Sequence, residues 1–539
     1  MARISLKSAE RTTQALLPEG RFEEVGRVLE LAARDLEDWR AWKLIAQIYE
    51  RIPRERPEAS DRLACGYATA LVGARLKDRL LSFTQKVLAG RSGPAAGVKV
   101  RTPGVANSSL FYLDGLQPLC HVRTAGTVAL PTALLEVSPF PTGAGSLDLC
   151  FGAGGRRFTT NIGYASEGAS AVAIQPDGKI VVAGTDYNNT TGSYDASLVR
   201  YLSTGELDSS FGTLGKAQGD LGAYLDYTNA MALQSDGKIV VAGTSDADFA
   251  LARFTAAGVL DTTFDTDGIV KTDFSASSDD YTNALRIQSD GKLVVVGRTG
   301  ADANPNNFAI ARYTTTGVLD TTFDTDGKQT IDFGAGSDVA FAVTQQSDGK
   351  LVVVGSDYSD FAIARLTSSG ALDTSFDTDG KKLTNFVSSP DEAHGVLVQP
   401  DGKILVGGWA YNTDTNTYDF ALARYSSSGV PDATFGFGGR VISDLGSGQN
   451  DYANAIALQS DGKIVLGGFT YNGSDDDFAV ARFESNGAPD STFDNDGFAI
   501  TKIGVASVSD QIKTLAIQAN GKIVVAGSSY INSTYWIVT

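Results

Sequence analysis

The sequence predicts a mainly-β protein: a seven-bladed β-propeller preceded by an α-helical N-terminal domain and a short β connector. Three observations carry that prediction. An Asp-Gly-Lys or Asn-Gly-Lys hairpin recurs with its glycine at 178, 237, 291, 349, 402, 462 and 521. Each copy brings four short strand-like patterns with it. Helical periodicity is confined to residues 1–90. At 539 residues the chain exceeds one ordinary core, so several domains or a long repeat array are expected.

Taking the elements in order, the stretch "GRFEEVGRVLELAARDLEDWRAWKLIAQIYERI" sets Phe22, Val25, Leu29 and Ala32 on one face and Trp42, Ile45, Ala46 and Tyr49 on another. Pro53 and Pro57 interrupt it before a further helical pattern that stops at Gly90. Residues 1–90 are therefore read as an α-helical anchoring or interaction domain. The Trp42, Ala46, Tyr49 spacing, with "EGRFEE" ahead of it, resembles one tetratricopeptide-type hairpin over residues 18–52. An ordinary helical bundle fits a single such unit equally well. Residues 91–144 lie between the Gly- and Pro-rich segments "RSGPAAGVKVRTPG" and "SPFPTGAG" and read as a β connector or collar.

Residues 145–539 form the repeat array. In each copy one strand follows the "FDTDG" loop, one ends as in "NALRIQ", one leaves the hairpin as in "KLVVVGRT", and one reads "FAIARYT". The Asp-Gly pair supplies the positive φ that a tight hairpin needs. The "VVVG" strand is apolar on both faces and belongs inside a stack of sheets. A linear β-solenoid competes, but its coils are shorter than this unit; blades closing around an axis fit better. The first linker, "GSLDLCFG", precedes any complete repeat and "YWIVT" ends the array, so both ends fall at one seam and the ring closes without leftover edges. The recurring "LQSDGKIVVAGT", "DFALARF" and "G-x-L-D-x-x-F-D" resemble the delta-60 repeat, a bacterial propeller-type repeat, over residues 145–539. That resemblance implies a fold and no general activity.

Two repeated patterns ask whether they are structural or functional. Arg200, Arg253, Arg312, Arg365, Arg424 and Arg482 share a strand position, followed by Asp208, Asp261, Asp320, Asp373, Asp432 and Asp490. One such pair per blade reads as a staple from strand to linker, with a ring of anion-binding arginines as the competing reading. The alternating carboxylates Asp265 and Asp267, Asp324 and Asp326, Asp377 and Asp379, and Asp494 and Asp496 form an oxygen-rich bend of the kind calcium uses. The loops "FGTLG" and "FGFGG" dispense with both carboxylates, which favours a plain turn.

The ligand candidates come from elsewhere in the repeat. "LDYTNA", "DDYTNA" and "NDYANA" contribute Tyr227, Asp280, Tyr281 and Tyr452, and Asp338, Asp391 and Asp510 occupy equivalent positions. On a shared rim these make an acidic and aromatic annulus suited to a cation, a basic peptide or a sugar. Loops between the third and fourth of these patterns vary most in length, and Trp409 lies beside one of them.

Composition narrows the function classes. Residues 1–144 carry 20 Lys and Arg against 15 Asp and Glu, the remainder 25 against 48, for an overall net charge of −18. An array this acidic repels phosphate backbones, so nucleic acid is not expected as a partner. Cys65, Cys120 and Cys150 are too few and too scattered for a metal site or a disulfide framework; the two histidines are His121 and His394. His394 stands near Asp391 and Glu392, yet no nucleophile elbow, phosphate loop or paired-histidine motif accompanies it, so no catalytic residue is assigned. No apolar run approaches a membrane span, and the start lacks the pattern of a secretory signal, so neither membrane insertion nor conventional secretion is expected. The resulting expectation is a non-enzymatic binding or structural protein. Its helical domain anchors it in a larger protein assembly and its propeller displays loops to a surface protein or carbohydrate, as in a phage virion appendage or decoration protein. A cytoplasmic interaction scaffold is the alternative and a glycan-active enzyme the third class. No cofactor is required, and calcium is the one ion under consideration.

Overall fold

The computed structural model describes residues 145, 147–148, 151, 157–159, 168–188, 193–222, 226–276, 278–300, 305–334, 336–446, 448–503, 509–530 and 534–538. The helical domain and connector expected over residues 1–144, with Cys65, Cys120, Cys150 and His121, lie outside the described residues. Among the described residues no helix is long and apolar enough to cross a membrane.

The repeats fold as antiparallel four-stranded sheets. Six blades are each written by one contiguous stretch, residues 168–219, 226–272, 279–331, 339–384, 388–443 and 451–501. They are numbered one to six below. A further sheet is composite: Asp510–Ile517, Ile523–Tyr530 and Thr534–Val538 are joined by Arg157–Thr159 from the other end of the array. First strands pack against one another in cyclic order, and Asp510–Ile517 meets Gly168–Ile174, so the sheets form a closed ring with the first strands innermost.

The expected order of strands within a copy is shifted by one. The strand after each "FDTDG" loop does not open its own blade; Lys328–Ile331, for example, pairs with Asn307–Tyr313 as the outermost strand of the blade before it. The reason is reach, because the linker is short and returns the chain to the strand it has just left. The same rule sends Arg157–Thr159, which follows the first linker, to the outer edge of the composite sheet.

The hairpin turn is also more specific than an Asp-Gly pair. In Ser235-Asp236-Gly237 the glycine takes the positive φ, at 86°, while the Asp236 carboxylate accepts the Lys238 N–H at 3.1 Å. The three-residue loop is closed by Gly237 N–H donating to Gln234 and Gln234 N–H donating to Lys238.

The second strand is buried on both faces, as its unbroken apolar run requires: Val294, Val295 and Val296 are all fully enclosed. Its alternate residues face opposite neighbours, Ile239 and Val241 toward blade one and Val240 toward blade three. The core is thus spread between blades, and no blade covers its own faces. Just beyond that run, the first strand bulges in every sheet, as between Thr282 and Ala284. Gly297 makes room for this. A Cβ there would lie 1.8 Å from the Tyr281 carbonyl oxygen, so no side chain fits.

Candidate functional site

The antiparallel order divides the loops between two rims. On one lie the Asp-Gly-Lys hairpins and the linkers; on the other lie the starts of the first strands and the loops between second and third strands, since Asp280 pairs with Thr299 and Asp451 with Thr470.

On the hairpin rim the repeated Arg and Asp form the staple. Arg312 Nε donates to Asp320 at 2.7 Å, its two terminal nitrogens donate to the Ser368 carbonyl and to Thr322 Oγ1, and its guanidinium lies 4.6 Å from the Phe323 ring centre. Lys292 of the hairpin supplies a second cation 2.9 Å from Asp320. Ser368 belongs to the turn of the next blade, so this staple clips one blade to its neighbour. Arg200, Arg253, Arg365 and Arg424 repeat the pairing with their aspartates and donate to a carbonyl of the following blade, Ala256, Thr315, Ser427 and Ser485, while Arg482 repeats the pairing with Asp490 and Thr492. Burial works to raise the Asp208 carboxyl, but hydrogen bonds from Ser210 and Lys179 and the charge of Arg200 hold it down at about 2. All six arginines are buried and matched, so among the described residues no arginine ring is open to an outside anion.

The paired aspartates of the linkers have structural duties there. Asp265, Asp324, Asp377 and Asp494 adopt positive φ of 43–53°, the conformation that Gly212 and Gly436 adopt in "FGTLG" and "FGFGG". Asp267, Asp326, Asp379 and Asp496 each accept the N–H two residues on, at 2.9–3.0 Å. These roles account for the motif as turn chemistry.

The opposite rim differs from blade to blade. The aspartates expected to form an acidic annulus are enclosed instead: Asp226, Asp280, Asp338, Asp391, Asp451 and Asp510 have no solvent exposure. Each accepts an N–H from the loop leading to it, as Asp280 does from Phe274 at 2.7 Å and Asp451 from Leu445 at 2.9 Å. They tie the inter-blade connection to the inner strand. Burial raises Asp338 to about 6 and Asp391 to about 7, with Asp332 and Asp357 adding to the first and Asp360 to the second.

The aromatic candidates do reach this rim. Tyr227 is exposed and stacks on Tyr194 of blade one, with ring centres 6.2 Å apart. Tyr281 carries the Arg298 guanidinium at 4.5 Å. Trp409 and Tyr452 come together at 5.3 Å, edge to face. Around them sit rings the sequence reading did not assign to a site: Tyr418 touches both at 5.1 and 5.6 Å, Tyr452 stacks on Phe469 at 5.1 Å, and His394 stacks on Phe341 at 4.3 Å. Trp409 Nε1 donates to His394 Nε2 at 3.2 Å, and Glu392 lies 3.0 Å from the same nitrogen. Half-buried rings thus run without a break across blades four, five and six. Burial, with Tyr418, Asp476 and Glu392 nearby, pushes the Tyr452 hydroxyl up to about 12. The signal that finds Phe469 and Arg298 is their register: each follows the glycine of "GGF" or "VGR", as Trp409 does in "GGW".

A family model described as "Domain of unknown function (DUF5122) beta-propeller" matches residues 175–211, 234–264, 288–323, 346–376, 399–435, 459–493 and 518–535. The protein is therefore a β-propeller repeat protein, and the match supports that class without singling out the delta-60 repeat. Six matched segments contain a complete Arg-Asp-Phe staple, whereas Tyr227, Asp280, Tyr281 and Tyr452 fall between segments. No curated protein matches the sequence. Similar solved structures include a virginiamycin B lyase from Staphylococcus aureus, at 12% identity and TM-score 0.34, covering 57% of this chain and 82% of that one. The β-propeller domain of the Trilobed protease from Pyrococcus furiosus has 11% identity and TM-score 0.36, covering 68% and 90%. Drosophila Semaphorin 1b, extracellular domains 1-2, has 10% identity and TM-score 0.39, covering 74% and 88%. Likeness at this level carries no activity over to this chain.

Proposed function

Starting from a β-propeller repeat protein, we propose a non-enzymatic binding protein whose ligand, a surface carbohydrate, docks on the aromatic rim of blades four to six. The supporting observation is the unbroken run Phe341, His394, Trp409, Tyr452 and Phe469, set among loops of unequal length. Half-exposed rings stack on the apolar faces of sugar rings, and Glu392 beside them accepts hydroxyl hydrogen bonds. In this reading residues 1–144 attach the propeller to a larger protein assembly, for which a phage virion appendage or decoration protein is the working case.

The test is retention of the full-length protein on a panel of immobilised polysaccharides, followed by affinity measurement on the best one. Trp409→Ala and Tyr452→Ala are expected to weaken binding at least tenfold, about 1.4 kcal/mol or more. Asp267→Asn, on the opposite rim, is expected to leave it unchanged. Failure to retain any polysaccharide, with recovery of soluble client proteins instead, would overturn the carbohydrate reading in favour of an intracellular scaffold. Cleavage of a retained glycan would overturn the non-enzymatic part.

A further inference from the structure

Three junctions between blades repeat one arrangement of carboxylates. In each, an aspartate at the start of a third strand, one just after the fourth strand of the same blade, and one at the start of the next blade's first strand converge. The sets are Asp195, Asp220 and Asp226; Asp248, Asp273 and Asp280; and Asp419, Asp444 and Asp451. One carboxylate oxygen from each member lies within 4.8 Å of those of the other two. Oxygens at calcium's usual 2.3–2.6 Å lie no more than about 5 Å from one another, so this spacing fits a shared ion.

Carboxylate clusters alone do not make a site. Here a second observation points inward. Asp226, Asp280 and Asp451 are fully enclosed; Oδ2 of each accepts the loop N–H already described, and Oδ1 is left without a hydrogen bond of ordinary geometry, with the Ser245 hydroxyl bearing on Asp226, the Thr470 hydroxyl on Asp451 and, among the described residues, no hydroxyl on Asp280. A buried carboxylate oxygen left this way is costly unless something positive meets it.

The remaining junctions supply a comparison within the same chain. Where Asp273 or Asp444 would stand, blade four has Asn385, whose amide donates to Asp360 at 2.7 Å. Blade six has Lys502, whose ammonium lies 3.5 Å from Asp477 and 2.8 Å from Asp475. Blade three has Asn307 in the place of Asp248. At these three junctions an amide or ammonium replaces one of the acids, although Asp338 at the blade-three junction keeps an Oδ1 without a hydrogen bond as well. Near the first two triads, Lys271 is engaged by Asp246 at 3.1 Å and by the Gly222 carbonyl at 3.4 Å.

From this geometry we propose that the three all-aspartate junctions each bind one calcium-sized divalent cation. Three carboxylates supply the charge, and water or backbone oxygens complete the shell. Lys502 is then the chain's own replacement for the ion at the sixth blade. The proposal is independent of the aromatic rim and of the linker aspartates.

The experiment is calcium titration of the chelator-treated full-length protein at pH 7.5 in 0.15 M salt, read by calorimetry and by thermal melting. Three saturable sites and a raised melting temperature are expected. Asp273→Asn and Asp444→Asn, which install the residue the chain already uses at position 385, should each remove one ion while the protein stays folded. Lys502→Asp should add a fourth. Asp267→Asn and Asp496→Asn should change nothing. No saturable binding up to roughly 10 mM calcium, or a stoichiometry indifferent to Asp273→Asn and Asp444→Asn, would overturn the proposal.

Discussion

The two rims of this propeller are rich in the same residue and use it in opposite ways. On the hairpin rim each staple aspartate meets two cations, Arg312 and Lys292 in the case of Asp320. On the other rim the enclosed aspartates meet backbone N–H groups and other carboxylates, as Asp451 meets Leu445, Asp419 and Asp444. One rim is repeated almost unchanged and internally complete; the other varies and keeps unmet electrostatic demand. In a repeat protein, regularity marks the parts that hold neighbours together, and departures from it mark where outside molecules are met.

The sharpest way to break this contrast is to remove a staple. Asp320→Ala leaves Arg312 and Lys292 enclosed or half-enclosed without their counter-charge, and is expected to cost about 3–5 kcal/mol in denaturant unfolding. A loss below about 1 kcal/mol would mean the staple is no clip between blades.

Next in size is a pH effect in which the rims oppose each other. Asp338 and Asp391 have pKa values raised to about 6 and about 7 in the folded chain, so between roughly pH 4 and 7 the folded state holds more protons than the unfolded one. Their contribution is complete at low pH and is lost as pH rises through 6 and 7. The staple aspartates are depressed, Asp208 to about 2, so theirs is present above about pH 4 and lost as pH falls below it. In the presence of chelator, the melting temperature is expected to rise by a few degrees from pH 8 to about 5 and to fall below about 4. Asp391→Asn should shrink the upper limb to the part Asp338 supplies and leave the lower one intact.

The smallest effects separate the linker turns from an ion site. Asp265→Gly restores what Gly212 already does in "FGTLG" and should alter stability by less than about 0.5 kcal/mol, whereas Asp265→Val forces a β-branched residue to positive φ and should cost about 1–2 kcal/mol. Calcium should change neither difference.

Much of the fold was readable because turn chemistry and strand alternation are local. Gly237 and its equivalents announce the hairpins, and the apolar run ending at Val296 announces a strand covered on both sides. The assignment of Lys328–Ile331 to a blade was not readable, since linker length alone does not say which sheet a strand joins. At the rim, Trp409 and Tyr452 were legible as aromatics beside variable loops, but their junction with His394 and Phe341 was not. Both of those residues sit at the bulge, where the period-two rule for which face a side chain takes breaks down. Asp280 was legible as an acid and illegible as a buried one, because nothing local reveals that its carboxylate reaches back to the Phe274 N–H.

The composite sheet sets a timetable for synthesis. Arg157–Thr159 leaves the ribosome early, yet its partner Thr534–Val538 is the final strand of the array. At ordinary elongation rates of about 5–20 residues per second, that separation corresponds to a wait of roughly 20–75 s. Throughout this interval the nascent ring is an open arc with an unpaired edge at each end. Closure of the ring thus waits for Thr534–Val538, so a chain that stops short of that strand keeps its clasp undone.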